Sequence, residues 1–165
     1  MSGLTHQDAE RLLYLEAHLL DERRWDEWLD LYTEDAVFWT PAWRNEDEPT
    51  ASPDTELSLV YYEGRSNLAD RVWRLRSGLS VASTPIQRTA HAISNVLVES
   101  ATDQAAKVKS SWATHVFNPR RKLQHVFFGR YEHELRREED RWRIARKKIL
   151  LLNDYIPTVV DFYML

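Results

Sequence analysis

Cysteine is absent from the 165 residues. That removes disulfides, thiol nucleophiles, cysteine-ligated zinc and any iron–sulfur cluster held by this chain alone. Glycine is scarce, with 4 in the chain, so a glycine-rich loop that cradles phosphate could hardly be built. Long apolar runs are missing too. Stretches such as Ile149 to Leu152 fall far short of the roughly 20 residues that cross a bilayer. Residues 1 to 20 carry no basic segment followed by an apolar one, so a cytoplasmic location without membrane contact is expected. Charge of one sign is lacking as well, since 22 basic residues against 26 acidic ones leave a net charge of −4. Such a balance gives no footprint for nucleic acid.

What is present fits one folded domain over 1–165: 43% of residues are hydrophobic and no repeat occurs. Thr5 followed by Asp8 opens a helix over residues 5 to 21, with Leu12, Leu13, Leu15, Ala17, Leu19 and Leu20 on a broad apolar face. Trp25, Trp28, Leu29 and Tyr32 at i, i+3, i+4 and i+7 predict a second, short helix. Ala36 to Thr40 reads as a strand, Pro41 to Pro53 as a proline-broken loop, and Leu57 to Tyr62 as another strand. Ser66 opens a third helix with Leu68, Val72 and Leu75 as its stripe and Gly78 as its end.

From Gln87 onward the pattern changes to alternation. Val108, Trp112 and Val116 share one side, as do Leu123, Phe127, Tyr131 and Leu135. Strands are expected at about 88–99, 105–117, 122–137 and 141–152, with turns at Asn118–Pro119 and Arg137–Arg141. Helices first and long antiparallel strands after make an α+β order, with the helices on one face of a curved sheet. The run Ile149 to Leu152 does not alternate, and Val159, Val160, Phe162, Tyr163, Met164 and Leu165 follow it. Burial is thus asked of both sheet faces, which points to a permanent partner or a homo-oligomer. Trp112, Phe117, Phe127, Ile149, Leu151, Phe162 and Tyr163 are the expected contact residues.

The six histidines form no close ligand pair. His125 and His133 share strand parity but lie roughly 26 Å apart at about 3.3 Å per residue, too far to hold one ion. His91 and His115 could meet only across strands. A buried Asp35 beside His91 would form an acid–base dyad, the basis of an alternative reading as a stand-alone isomerase or dehydratase. Phe38, Trp39, Trp43, Trp25 and Trp28 would line its pocket or simply pack a core. Arg136 to Arg143 and Arg146 to Lys148 are a basic patch or a solvated hairpin.

Specific stretches then resemble a known family over nearly the whole chain. They are Leu20-Asp21-Glu22-Arg23-Arg24-Trp25-Asp26-Glu27-Trp28-Leu29, Phe38-Trp39-Thr40-Pro41-Ala42-Trp43, Leu57-Ser58-Leu59-Val60-Tyr61-Tyr62 and Asp70-Arg71-Val72-Trp73-Arg74-Leu75. Arg88-Thr89-Ala90-His91 with Ser94-Asn95-Val96 follows, then Gly129-Arg130-Tyr131-Glu132-His133, Trp142-Arg143-Ile144-Ala145-Arg146-Lys147-Lys148 and Asp161-Phe162-Tyr163. Together they resemble the small (beta) subunits of Rieske-type aromatic-ring-hydroxylating dioxygenases. Ala82-Ser83-Thr84-Pro85 and Pro41-Ala42-Trp43 look most like the benzoate and anthranilate branch. The resemblance implies a cystatin-like (NTF2-like) cone and a mainly structural role, with no catalytic, cofactor or metal residues on this chain. Its partners would be a large (alpha) subunit and further copies of itself, as a trimer within a three-plus-three hetero-hexamer. The large subunit would carry the Rieske 2Fe–2S cluster and mononuclear iron, with electrons from NADH through a reductase. The missing cysteines agree, because a Rieske centre needs two thiolates.

Overall fold

The computed structural model describes residues 3–80 and 84–165. Ala82 and Ser83 of the branch-marking stretch lie outside the described residues. The elements run α1 (His6–Asp21), α2 (Trp25–Asp30), β1 (Tyr32–Pro41), β2 (Ser58–Glu63), α3 (Arg65–Ser77), β3 (Arg88–Ala101), β4 (Ala105–Asn118), β5 (Leu123–Glu138) and β6 (Arg141–Leu151). A short 3-10 turn, Phe162–Met164, closes the described chain.

Local chemistry accounts for the helix ends. Thr5 caps α1 with its hydroxyl on the Asp8 amide while the Asp8 carboxylate returns to the Thr5 amide, a complete capping box. At the other end of α3, Gly78 takes the left-handed conformation (φ 70°) that a side chain would disfavour. This helix starts one residue before Ser66, with Gly64 in the capping position. Tyr32 does not continue α2. It begins β1 instead, registered against Ile144.

The six strands form one sheet in the order β2-β1-β6-β5-β4-β3. Every pair is antiparallel except β1 with β6. This is the α+β cone that the resemblance implies, with the helices on one sheet face. The inner faces of β4 and β5 carry Val108, Trp112 and Val116 beside Phe127, Tyr131 and Leu135, all buried. Leu123, at the start of β5, is exposed. On α1 the buried stripe is Ala9, Leu13, Glu16, Ala17, Leu19 and Leu20, whereas Leu15 faces solvent.

Gly129 allows β5 to pass close over β6. A Cβ there would lie 1.8 Å from the Leu150 carbonyl oxygen. The chain then folds its own tail into the open end of the cone. Phe162 stacks on Trp28 with ring centres 5.0 Å apart and meets Trp25 edge-on at 5.5 Å. Arg71 on α3 holds the tail through Asp161, with Nε to Oδ1 at 3.0 Å and a second, very short contact between Nη2 and Oδ2.

Candidate functional site

The ionisable groups with most burial meet inside the cone. Glu16 comes from α1, Tyr32 from the first residue of β1, His133 from β5 and Lys147 from β6. The Glu16 carboxylate accepts from Lys147 Nζ at 3.1 Å, His133 Nε2 at 3.3 Å and Trp28 Nε1 at 3.3 Å, and from the Tyr32 hydroxyl. Lys147 sits 4.3 Å above the Tyr131 ring centre and 5.5 Å from that of Phe38. Both Glu16 and Lys147 are essentially inaccessible, at 2% and 0% exposure.

Burial raises the Glu16 carboxyl pKa. The Lys147 charge and the bonds from His133 and Tyr32 outweigh it and hold the group below the usual carboxylate range. Burial draws His133 and Lys147 down, and Glu16 only partly restores them. These are the ingredients of proton transfer. Here, however, Glu16 spends its oxygens on four donors of the same chain, and tail residues Phe162 to Leu165 are all at 1% exposure or less. The arrangement ties α1 to β5 and β6 rather than presenting a base to a substrate.

A second carboxylate–imidazole pair fastens the end of α1 to β3. Asp21 accepts from His91 Nδ1 at 2.6 Å, from the His91 amide at 2.9 Å and from Thr89 Oγ1 at 2.9 Å. Burial raises the Asp21 pKa, but the His91 and Thr89 bonds prevail and lower it. His91 Nε2 turns toward the Leu165 oxygen at 3.4 Å.

The Asp35–His91 dyad is therefore corrected on both sides. His91 is paired with Asp21, and Asp35 is a surface residue bonded to Arg136 and to Thr33 Oγ1. The Arg136 bond, helped by Thr33, lowers the Asp35 pKa, opposite to what a base at neutral pH requires. His91 and His115 are also separated, because His91 is registered with Thr114 and His115 with Ala90, which places them on opposite sheet faces.

The expected contact residues need correction as well. Trp112, Phe127, Ile149, Leu151, Phe162 and Tyr163 are each at 2% exposure or less within the single chain. The neighbour that their apolar faces require is the chain itself, chiefly the helices and the tail. Only Phe117 keeps a partly open side chain, with the Arg88 guanidinium 5.9 Å from its ring. The aromatic group is divided in the same way. Trp25, Trp28 and Phe38 pack inside, while Trp39 lies on the outer face between Arg146 and Lys148, at 5.4 and 5.3 Å. Much of the basic hairpin is paired internally, Arg136 with Asp35 and both Arg141 and Arg143 with Asp30.

Sequence reading missed Glu16 and Lys147, although both carry a signal. Glu16 lies three residues after Leu13 and four before Leu20, on the buried stripe. Lys147 precedes Ile149 and Leu151 at two-residue spacing, on their face.

No group of three or more His, Cys, Asp or Glu that could hold a metal ion occurs among the described residues. A Rieske cluster does not fit this chain, because it has no cysteine and its two buried histidine side chains, His91 and His133, are bonded to Asp21 and Glu16.

Comparison with known proteins agrees with this geometry. A family model described as "Ring hydroxylating beta subunit" matches residues 15–158. The anthranilate 1,2-dioxygenase small subunit of Acinetobacter baylyi is 42% identical over 163 residues, covering 99% of both chains. The benzoate 1,2-dioxygenase subunit beta of the same organism is 40% identical, covering 99% of this chain and 95% of that one. Among solved structures, the beta subunit of benzoate 1,2-dioxygenase from Burkholderia mallei superposes with a TM-score of 0.83 at 35% identity, covering 100% of each chain. On the extent of these matches and a cone closed by its own tail, the chain belongs to the beta-subunit family of ring-hydroxylating dioxygenases.

Proposed function

We propose that the chain, as one domain over 1–165, is the small structural subunit of a multicomponent dioxygenase acting on an aromatic carboxylate such as anthranilate or benzoate. Catalysis belongs to a large partner subunit carrying the Rieske 2Fe–2S cluster and a mononuclear iron, supplied with electrons from NADH through a reductase. The assembly is three large and three small subunits in the cytoplasm. The observation that carries this reading is the filled cone. His133 and Lys147 both donate to Glu16, and the buried tail residues Phe162 to Leu165 reach this cluster, with Lys147 Nζ 3.5 Å from the Leu165 oxygen.

Within such an assembly this chain supplies a rigid body. The buried ion pair, the Asp21–His91 clamp and the Arg71–Asp161 latch fix helices and tail to the sheet. That rigidity leaves the outer sheet face, including Phe117, for contact with other subunits. Co-expression with the large chain tests the proposal. Iron and acid-labile sulfide are expected only in a complex containing both chains, and the small chain alone should be colourless and inactive. A small chain that never co-purifies, or that turns over a ligand unaided, would overturn it.

A further inference from the structure

At the far end of the sheet from the Glu16 cluster, a cavity of about 270 Å³ opens between the β4–β5 turn and residues 155–159. Its volume lies just under the roughly 300–1,000 Å³ of pockets for drug-sized molecules, which suits a ligand of one ring. Its walls are mixed, with Val116, Leu123, Phe127 and Val159 as apolar surface and Gln124 and Thr158 among the polar groups. His125 stands edge-on to Phe127 with ring centres 4.6 Å apart and an interplanar angle of 71°, and edge-on to Tyr155 at 6.1 Å and 65°.

Two polar groups along this wall are unspent. His125 Nε2 is enclosed and hydrogen-bonds to none of the described residues. Gln87 is at 9% exposure. It bonds through its main chain, to the Tyr163 hydroxyl at 3.1 Å and to Arg23 at 3.5 Å, while its side-chain amide bonds to none of the described residues.

A cation stands at the rim. Arg121 lines the cavity, is exposed, and forms no ion pair among the described residues. The turn that presents it is fixed, since Asn118 Oδ1 accepts from the amides of Arg120 and Arg121, each at 3.0 Å, and the Asn118 carbonyl accepts from Lys122 at 2.9 Å.

We propose that this cavity binds a small monocyclic aromatic carboxylate, its ring among His125, Phe127 and Tyr155 and its carboxylate on Arg121. Edge and face contacts favour a flat ring over an alkyl chain of similar size. A guanidinium matches a carboxylate in charge and fork geometry. His125 and Gln87 supply the hydrogen-bonding groups that orient ring substituents. In its ligand class the inference rests on the proposed function, whereas the cavity itself is built from residues of this chain alone.

The test uses the full chain, with binding of 4-fluorobenzoate followed by 19F NMR and checked by calorimetry with benzoate. Saturable binding is expected, with competition by benzoate but not by benzamide, which lacks the charge, or acetate, which lacks the ring. Arg121→Gln should weaken it on the order of tenfold. Tyr155→Ala, also at an exposed position, should weaken it several-fold. Absence of saturable binding below about 10 mM would overturn the proposal. So would equal affinity in Arg121→Gln, or displacement by acetate as effective as by benzoate. Co-purification with the large chain is scored separately, so failure of this site and failure of the assembly reading are told apart.

Discussion

The Glu16–Lys147 pair makes the sharpest demand on stability. The two charges lie 3.1 Å apart with almost no exposure. At an effective dielectric of about 20 their attraction is roughly 5 kcal/mol, comparable to the several kcal/mol that burying each ion costs. The intact pair therefore adds little net stability, but removing one partner leaves an uncompensated buried charge.

Lys147→Met should destabilise the fold by about 3–5 kcal/mol, as should Glu16→Gln. The double substitution Glu16→Gln/Lys147→Met should cost less than the sum of the singles by about 3–5 kcal/mol, because neither charge is then left buried without its partner. Urea unfolding followed by tryptophan fluorescence and circular dichroism measures all three.

The pH dependence adds a sign. In the intact chain the folded Glu16 pKa is lowered, so its contribution is present above the ordinary carboxylate pKa and lost as pH falls. In Lys147→Met the largest charge opposing burial is gone and the folded pKa should rise. That contribution to stability should then decline as pH rises above the ordinary carboxylate pKa. A Lys147→Met variant destabilised by less than about 1 kcal/mol, in the range of a solvated pair, would refute the closed cone.

Other perturbations probe the remaining joints. Asp21→Asn loosens the clamp on His91 and Thr89 and, at a half-buried site, should cost about 1–2 kcal/mol in denaturant titration. Because the folded Asp21 pKa is lowered, the wild-type advantage over this variant should shrink as pH falls below the ordinary carboxylate range. Gly129→Ala drives a methyl into the Leu150 carbonyl and should cost 3 kcal/mol or more, on the order of severe overpacking, seen as loss of soluble protein. Phe162→Ala empties the space beside Trp25 and Trp28 and should cost about 3–5 kcal/mol, with red-shifted tryptophan emission.

Much of the fold was legible because its elements obey single periodicities. Thr5 and Asp8 mark the start of α1, alternation marks β4 and β5, and the turn residues between segments place the ends of β3 to β6 to within two residues or so. Tyr32 shows where periodicity fails. Its helical spacing after Trp25 is genuine, yet its hydroxyl is claimed by Glu16 and its backbone by β6, so tertiary contacts override the local pattern. The interior cluster was harder because its members come from distant segments. Glu16 and Lys147 each stand on an apolar face, but their pairing needs the parallel β1–β6 junction that no local signal announces. The contact residues were misplaced for a related reason. Apolar alternation shows that a face is buried without saying by what, and here Phe162 to Leu165 cover it from within.

In the proposed role this chain builds the enzyme without taking part in its chemistry. Turnover per iron of the co-expressed complex carrying Glu16→Gln/Lys147→Met in the small subunit tests it most directly. An assembled complex is expected, with turnover per iron within about twofold of wild type. Loss of turnover in a complex of normal mass and iron content would contradict it and place the interior of the cone in the reaction.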